Sequence, residues 1–244
     1  MALAEIEAVL KQAIGLDAAS IGSLSIKLAV HTRISACRLA DMDAYLKLLR
    51  SSAAELQVLI EAVVVPETWF FRDREAFAAM ARIAQEEWLP AHPEDMLRLL
   101  SLPCSTGEEP YSMAMALLGG GFMAERFRID AFDISSRALD HARHGVYGKN
   151  SFRGIDSGFR DVYFEATTRG YSLRETVRRQ VDFEQGNMFA PDFLPGSELY
   201  DMIFCRNLLI YFDRATQDRA VGLLSRLLTA RCALHRSIRN GPAA

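Results

Sequence analysis

The sequence lacks a long apolar run and has few cysteines. Charged residues interrupt every apolar stretch of the 244-residue chain before the ~18 residues that a membrane span needs. The first residues, MALAEIEAVLKQ, alternate acidic with apolar positions and do not form a signal-peptide core. The four cysteines include no C-x-x-C pair, which excludes a disulfide framework and indicates no metal site. We therefore expect a cytoplasmic protein that is not inserted in a membrane.

The chain also lacks a strong charge of either sign. It has 28 Lys and Arg against 31 Asp and Glu, a net charge of −3, so nucleic acid is not expected as the main ligand. Half of the residues are hydrophobic, which excludes disordered and collagen-like classes and is typical of one ordinary domain or two small ones.

Helical periodicity dominates the first 62 residues. Apolar residues at three-and-four spacing predict a helix over 3–14, and further runs begin at Ser23 and Asp41. The segment from Ser52 to Glu55 reads as a capping box that begins a fourth helix. These patterns predict an all-helical N-terminal domain over residues 1–62.

A basic stripe is expected on the second of these helical runs. No acidic residue occurs between Ala18 and Ala40, and a helix continuing to residue 39 would project Lys27, His31 and Arg38 to one side. The pattern is equally typical of a solvated helix face. Both interpretations stay open on this evidence.

Residues 63–244 alternate buried runs with helical runs, which predicts an α/β domain with a mostly parallel sheet. Strands are expected at 96–102, 127–132 and 199–205, and helices at 73–88, 109–118, 136–144 and 216–228. The segment at about 158–182 contains short Tyr-, Phe- and Thr-rich runs, and we interpret it as a small β insertion.

The turn after the first strand carries the strongest signal for a ligand. The segment PCSTGEEPYS places one glycine between strand and helix, so the G-x-G-x-x-G pattern that binds a pyrophosphate is missing. S-adenosylmethionine fits better, because it needs one carboxylate for its ammonium group and another for its ribose. Glu108 and Asp133 follow the first two strands, where such ligands bind. Each could instead cap a helix, with Ser105 opening a capping box.

Two further segments place polar residues beside apolar ones. In PETWFFRD, Arg72 follows three aromatic residues that could equally be core. In DMIFCRNLLIYF, Arg206, Asn207 and Tyr211 follow a buried strand, although Asn207 could cap a turn and Tyr211 could simply pack.

Four motifs in sequence order resemble those of the CheR-type chemotaxis receptor methyltransferases. PETWFFR is similar to the family's N-E-T-x-F-F-R, and CSTGEEPYS and CRNLLIYF match family segments directly. AFDISSRALDHARHGVY is similar to an acidic strand end followed by L-x-x-A-R-x-G-x-Y. The resemblance covers about residues 20–220. It implies a Rossmann-like S-adenosylmethionine-dependent methyltransferase domain.

The resemblance implies a role for individual residues of this chain. Arg72 and Tyr211 would lie nearest the transferred methyl group and orient the reactants. Glu108 would bind the methionine end of the cofactor and Asp133 its ribose. The other implied cofactor-binding residues are Thr68, Asn187, Met188, Arg206 and Asn207. Pro66 replaces the family's asparagine, and Leu102-Pro103 replaces small residues, which could weaken cofactor binding.

The resemblance also implies the reaction and its partners. The expected enzyme is a protein-glutamate O-methyltransferase that acts on the cytoplasmic helices of methyl-accepting chemoreceptors and releases S-adenosylhomocysteine. Lys27, His31 and Arg38 would dock the acidic receptor. EATTRGYSLRE lacks the G-x-G insertion of members that bind a receptor's C-terminal pentapeptide, so no pentapeptide tether is expected.

Three further expectations complete this interpretation. The alternative function is a non-catalytic module that binds S-adenosylmethionine or S-adenosylhomocysteine. The segment LLTARCALHRSIRNGPAA departs from the family's P-G-G turn and closing strands, so an atypical or truncated C-terminal end is expected. A monomer is the expected oligomeric state.

Overall fold

The computed structural model describes residues 2–64, 66–153 and 158–229. Two compact units are present. The first takes in residues 2–64, 187–193 and 207–223 of the described chain, and the second takes in the remaining described residues. The expectation that residues 1–62 and 63–244 form two separate domains stays a prediction. Among the described residues, no helix is long and apolar enough to cross a bilayer.

The first unit begins with five helices: α1 (Ala2–Ile14), α2 (Ala18–Ile21), α3 (Ser23–Ala36), α4 (Met42–Ser51) and α5 (Ala53–Val63). Each long helix buries one apolar stripe; Ile6 and Leu10 of α1 and Val30 of α3 are fully covered. The cap predicted for the fourth helical run is confirmed, since Ser52 Oγ accepts from Glu55 N at 3.2 Å.

The third helix ends earlier than its sequence pattern predicts. Helix α3 stops at Ala36, and Arg38 has a left-handed backbone with φ 55°. The expectation that Lys27, His31 and Arg38 share one helix face is therefore wrong for Arg38. Lys27 and His31 do lie four residues apart on α3, and both are exposed.

The second unit contains a four-stranded parallel sheet of order β6-β2-β1-β7. Its strands are β1 (Leu97–Ser101), β2 (Phe127–Asp133), β6 (Val181–Gln185) and β7 (Met202–Phe204). Leu97, Leu99, Phe127 and Ile129 are fully buried, as expected for strands covered on both faces. The predicted α/β fold class is confirmed. The last strand is shorter than its apolar pattern, and Tyr200 instead forms a parallel bridge with Leu228.

Helices occur where the sequence predicts them, near 73–88, 109–118, 136–144 and 216–228, and this unit also has short helices that the sequence does not predict. The second unit contains the helices α6 (Arg74–Ile83), α7 (Leu89–Ala91), α8 (Glu108–Gly119), α9 (Ser136–His144), α10 (Gly158–Tyr163) and α11 (Glu175–Arg178). Helix α12 (Arg214–Leu227) belongs mostly to the first unit, and only its final turn belongs to the second. A π-helical turn, Ala84–Trp88, continues α6. Short 3-10 turns lie at Ala124–Arg126 and Lys149–Phe152, and a third, Leu209–Tyr211, belongs to the first unit.

The predicted β insertion is a hairpin with helical flanks. Strands β4 (Phe164–Thr167) and β5 (Gly170–Leu173) pair antiparallel, and β3 (Val146–Tyr147) adds to β5. Residues from Val181 onward belong instead to the main sheet, where β6 lies parallel to β2. The C-terminal expectation concerns residues 227–244, of which 230–244 lie outside the described residues.

Candidate cofactor site

The turn after β1 is attached to the end of β2 through Asp133. One carboxylate oxygen of Asp133 accepts from Ser105 N at 2.7 Å, and the other accepts from Ser135 N at 2.9 Å. Cys104 N donates to Phe132 O at 2.9 Å, which adds a second link between the two strand ends. Asp133 is 6% exposed. Its carboxylate therefore has a fixed position, and carboxylate oxygens are acceptors of the kind that a ribose hydroxyl needs.

Glu108 is the second buried carboxylate of this site. It is the first residue of α8 and is 2% exposed. Thr106 Oγ1 donates to one carboxylate oxygen at 2.6 Å, and Ser151 Oγ donates to the other at 2.9 Å. Burial raises the pKa of Glu108. An ammonium group bound here would restore the ionised form, so the environment suits a cationic ligand.

The predicted capping box at Ser105 is wrong. Gly107, with φ 94°, is the N-cap of α8, and no side chain caps this helix. Ser105 has φ 49°, and its Oγ is a buried atom with no hydrogen-bond partner among the described residues. A left-handed non-glycine residue with an unpaired hydroxyl is costly and typical of a binding site.

Arg72 and Arg206 lie together in the second unit. Arg206 Nη1 donates to the backbone oxygen of Arg72 at 2.7 Å, and Arg206 Nη2 lies 3.3 Å from Asp73 Oδ2. The Arg72 guanidinium donates to Glu67 O at 2.8 Å and lies 4.4 Å from the centre of the Trp69 ring. Thr68 is half-buried in the same loop.

The remaining predicted site residues belong to the first unit. Asn187 Nδ2 donates to Ala13 O at 2.6 Å, and Asn187 Oδ1 accepts from Phe189 N at 3.0 Å. Both amide atoms are thus engaged within the unit. Met188 is buried. Contacts of Asn187 and Met188 with adenine stay predictions.

Asn207 and Tyr211 frame a short helical turn of the first unit. Asn207 is exposed with a left-handed φ of 57°. Tyr211 is half-buried, and its backbone oxygen accepts from Asp17 N at 2.8 Å. Their functional roles also stay predictions.

Sequence reasoning missed several residues that shape the site. Thr106 lies in the recognised motif, but only the folded chain shows that it orients Glu108. Ser151 is 43 residues from Glu108, and no sequence signal links the two. Trp69 was interpreted only as possible core, whereas the guanidinium groups of Arg72 and Arg153 each lie 4.4 Å from its ring centre.

The residues of the second unit fit S-adenosylmethionine. Two buried carboxylates follow neighbouring parallel strands, one suited to an ammonium group and one to hydroxyl donors. The unpaired Ser105 hydroxyl lies in the same turn. When bound, this cofactor supplies a methyl group attached to a positively charged sulfur.

Comparison with known proteins agrees with this geometry. Residues 66–235 match the family model described as CheR methyltransferase, SAM binding domain. The chain is 54% identical over 222 residues to the "Probable biofilm formation methyltransferase WspC" of Pseudomonas aeruginosa, covering 91% of this chain and 53% of that protein. It therefore spans about half the length of this relative.

Relatives named for chemotaxis are more distant. "Chemotaxis protein methyltransferase 2" of Vibrio cholerae is 34% identical, over 70% of this chain and 61% of that protein. "Chemotaxis protein methyltransferase" of Salmonella typhimurium is 33% identical, over 76% of this chain and 65% of that protein. The chain belongs to the CheR methyltransferase family, and its cofactor is S-adenosylmethionine.

Proposed function

We propose that this protein transfers a methyl group from S-adenosylmethionine to glutamate side chains of a methyl-accepting chemoreceptor. The observation that carries this proposal is the pair of guanidinium groups, Arg72 and Arg153, on the Trp69 ring. Arg153 is half-exposed, which leaves positive charge facing solvent for an anionic acceptor. The Glu67 carboxylate lies 3.5 Å from Arg153 Nη2 and offsets part of that charge.

When the acceptor is a carboxylate, the main task of the protein is to orient it toward the methyl group. A glutamate side chain is ionised near pH 7, because its ordinary pKa is about 4.3, so no general base is needed. Arg72 orients the carboxylate, and the Trp69 ring restricts the Arg72 guanidinium. Correct placement of the reacting groups can lower the barrier by about 7–11 kcal/mol. Tyr211 is proposed as a second orienting group.

The N-terminal helices supply a surface suited to receptor helices. Leu24 and Leu28 of α3 are 79% and 68% exposed. Lys27 and His31 lie on the same side of this helix, since all four positions fall within one i, i+3, i+4, i+7 set. We propose that this mixed apolar and basic face docks a Glu-rich helix, with Arg38 beyond the helix end adding charge.

The relatives' names suggest the setting. One is named for biofilm formation and others for chemotaxis, so the proposed acceptor is the receptor of a chemosensory system with either output. The enzyme would act in the cytoplasm as a monomer. It would need no pentapeptide tether, because Thr167 and Gly170 close the hairpin of β4 and β5 with a short turn.

A methyl-transfer assay tests the proposal directly. Purified protein is incubated with methyl-tritiated S-adenosylmethionine and a cytoplasmic receptor fragment, and base-labile radioactivity is counted as released methanol. We expect labelling that disappears when the acceptor glutamates are replaced by alanine and falls strongly in Arg72→Ala. Binding of S-adenosylhomocysteine without any labelling would instead support the non-catalytic module, for which Pro66 is the motivating feature.

A further inference from the structure

Glu109 is a largely buried carboxylate that follows Glu108 in the chain. It lies in the first turn of α8, next to Glu108, and its side chain is 13% exposed. Ser101 Oγ, at the end of β1, donates to Glu109 Oε1 at 2.8 Å. Glu109 Oε2 lies 3.7 Å from Arg206 Nη1. The carboxylate is thus fixed on one side by the sheet and faces a guanidinium on the other.

The same guanidinium holds the backbone of the loop at 66–73. Arg206 Nη1 donates to Arg72 O, and Arg206 Nη2 pairs with Asp73. This loop is strained, because Phe71 and Asp73 both have left-handed backbones with φ of 51° and 66°. Such conformations are energetically unfavourable and persist only where surrounding contacts impose them.

The described residues give Arg206 two acidic partners, of which Glu109 lies in α8 and Asp73 lies in the strained loop. Asp73 is part of the strained loop, so its ion pair moves with the loop. Glu109 is held by α8 and by Ser101 of β1. A guanidinium needs a fixed counter-charge if it is to hold a loop in one place.

We propose that Glu109 is a positioning residue that anchors Arg206 and, through Arg206, fixes the loop that carries Arg72 for cofactor binding. The inference rests on the proposed function only for the acceptor-side role of Arg72. Its effect on the cofactor requires no acceptor protein. Glu109 itself touches neither the cofactor turn's hydroxyls nor Asp133 in the contacts described above.

The charge of Glu109 depends on pH near neutrality. Burial raises its pKa to about 7, although Arg206, the Ser101 hydroxyl and Arg72 oppose that rise. The Cys205 thiol also faces this carboxylate, and burial raises the pKa of Cys205 to about 12, so the thiol stays neutral. The attraction between Glu109 and Arg206 is therefore present above about pH 7 and lost as the pH falls below it.

Calorimetric titration with S-adenosylhomocysteine tests this inference on the full chain. The dissociation constants of wild type and Glu109→Gln are compared between pH 6 and pH 8.5. Glutamine keeps the shape and the Ser101 hydrogen bond but not the charge. We expect the variant to bind about tenfold more weakly at pH 8 and equally at pH 6, as for the loss of one coupled charge pair. Glu108 titrates in both proteins, so its effect cancels when the dissociation constant of the variant is divided by that of wild type.

Asp130→Asn provides the matched control. Asp130 is a carboxylate of β2 that accepts from Tyr200 Oη at 2.8 Å, and it is not among the Arg206 partners described above, which are Arg72, Asp73 and Glu109. This variant should bind like wild type at every pH. The inference would be overturned if the dissociation constant of Glu109→Gln, divided by that of wild type, were the same at all pH values, including the case in which it equals one throughout. Thermal melts of the variants confirm folding, and absence of methyl transfer to any receptor would leave these binding results unchanged.

Discussion

Asp133 Oδ2 lies 2.7 Å from the backbone nitrogen of Ser105, which donates a hydrogen bond to it. This bond joins the turn after β1 to the end of β2, so the carboxylate that shapes the cofactor turn is also the proposed acceptor for the ribose hydroxyls. Structure and binding are therefore coupled at this residue.

Replacing Asp133 by alanine should remove cofactor binding. The variant loses the hydrogen bond to Ser105 N and the proposed acceptor for the ribose hydroxyls. Because hydrogen bonds to charged groups contribute about 1.5–3 kcal/mol each, we expect at least about a tenfold loss of affinity. Calorimetric titration with S-adenosylhomocysteine measures it. Wild-type affinity in Asp133→Ala would contradict the assignment, and Asp130→Asn is the control for loss of a carboxylate from β2.

Substitutions at Trp69 should change turnover through Arg72. The guanidinium of Arg72 lies over the Trp69 ring, an arrangement that stabilises by about 0.5–2 kcal/mol. Trp69→Leu should therefore lower kcat for methyl transfer by about two- to thirtyfold, because Arg72 becomes less restricted. Trp69→Phe keeps an aromatic face and should recover part of the loss. If Trp69→Leu turned over at the wild-type rate, the ring would have no orienting role.

Charge reversal on α3 should slow receptor methylation. Lys27→Glu places a negative charge on the proposed docking face, so association with a Glu-rich receptor helix weakens. We expect a rise in KM for the receptor that is largest at low salt, with unchanged affinity for S-adenosylhomocysteine. Lys47→Glu, an exposed position on α4, is the matched control. Equal effects of both substitutions would indicate that this face of α3 is a solvated helix surface and does not dock the receptor.

The pair of Arg33 and Glu55 should stabilise the helical unit. Two nitrogens of Arg33 lie 2.9 Å from the two carboxylate oxygens of Glu55, and Tyr45 Oη donates to the same carboxylate at 2.8 Å. Removing one partner leaves a largely buried charge, so Glu55→Ala should lower the free energy of unfolding by about 3 kcal/mol. Urea denaturation measures the change.

An exposed ion pair and a pH series control that measurement. Glu5 pairs with Arg50 at the surface, and Glu5→Ala should cost less than about 1 kcal/mol. Hydrogen bonding from Arg33 lowers the pKa of Glu55 below its ordinary value. Its contribution is therefore present above the unfolded pKa of about 4.3 and is lost as the pH falls through the folded value. A difference between wild type and Glu55→Ala that persisted at low pH would contradict this account.

Local patterns in the sequence predicted much of the fold. The spacing of Leu3, Ile6 and Leu10 indicates α1, and the four-residue capping box from Ser52 to Glu55 indicates the Ser52 cap. The expected helix over 136–144 matches α9. These signals are short-range, since helix periodicity and capping depend on neighbours within one or two turns.

The failures have equally physical causes. Arg38 was placed on a helix face because the apolar pattern continued, yet the backbone turns left-handed after Ala36. The predicted insertion, about 158–182, includes the first two residues of β6, because a five-residue strand carries no mark of the sheet it joins. The 3-10 turn at Leu209–Tyr211 has no strong local signal, and its position reflects a bond from Asp17, far away in the sequence.

Residue patterns alone predicted the long helices, three strands of the main sheet and, through four motifs, the methyltransferase family, and they predicted Glu108 and Asp133 as cofactor ligands. Only the folded chain shows which groups contact these residues: Ser151 donates to Glu108, the Ser105 backbone donates to Asp133, and Arg206 donates to the loop that carries Arg72. The reason is that side-chain identity is written locally, whereas a hydrogen bond between residues 28 to 134 positions apart depends on how strands and loops meet in space.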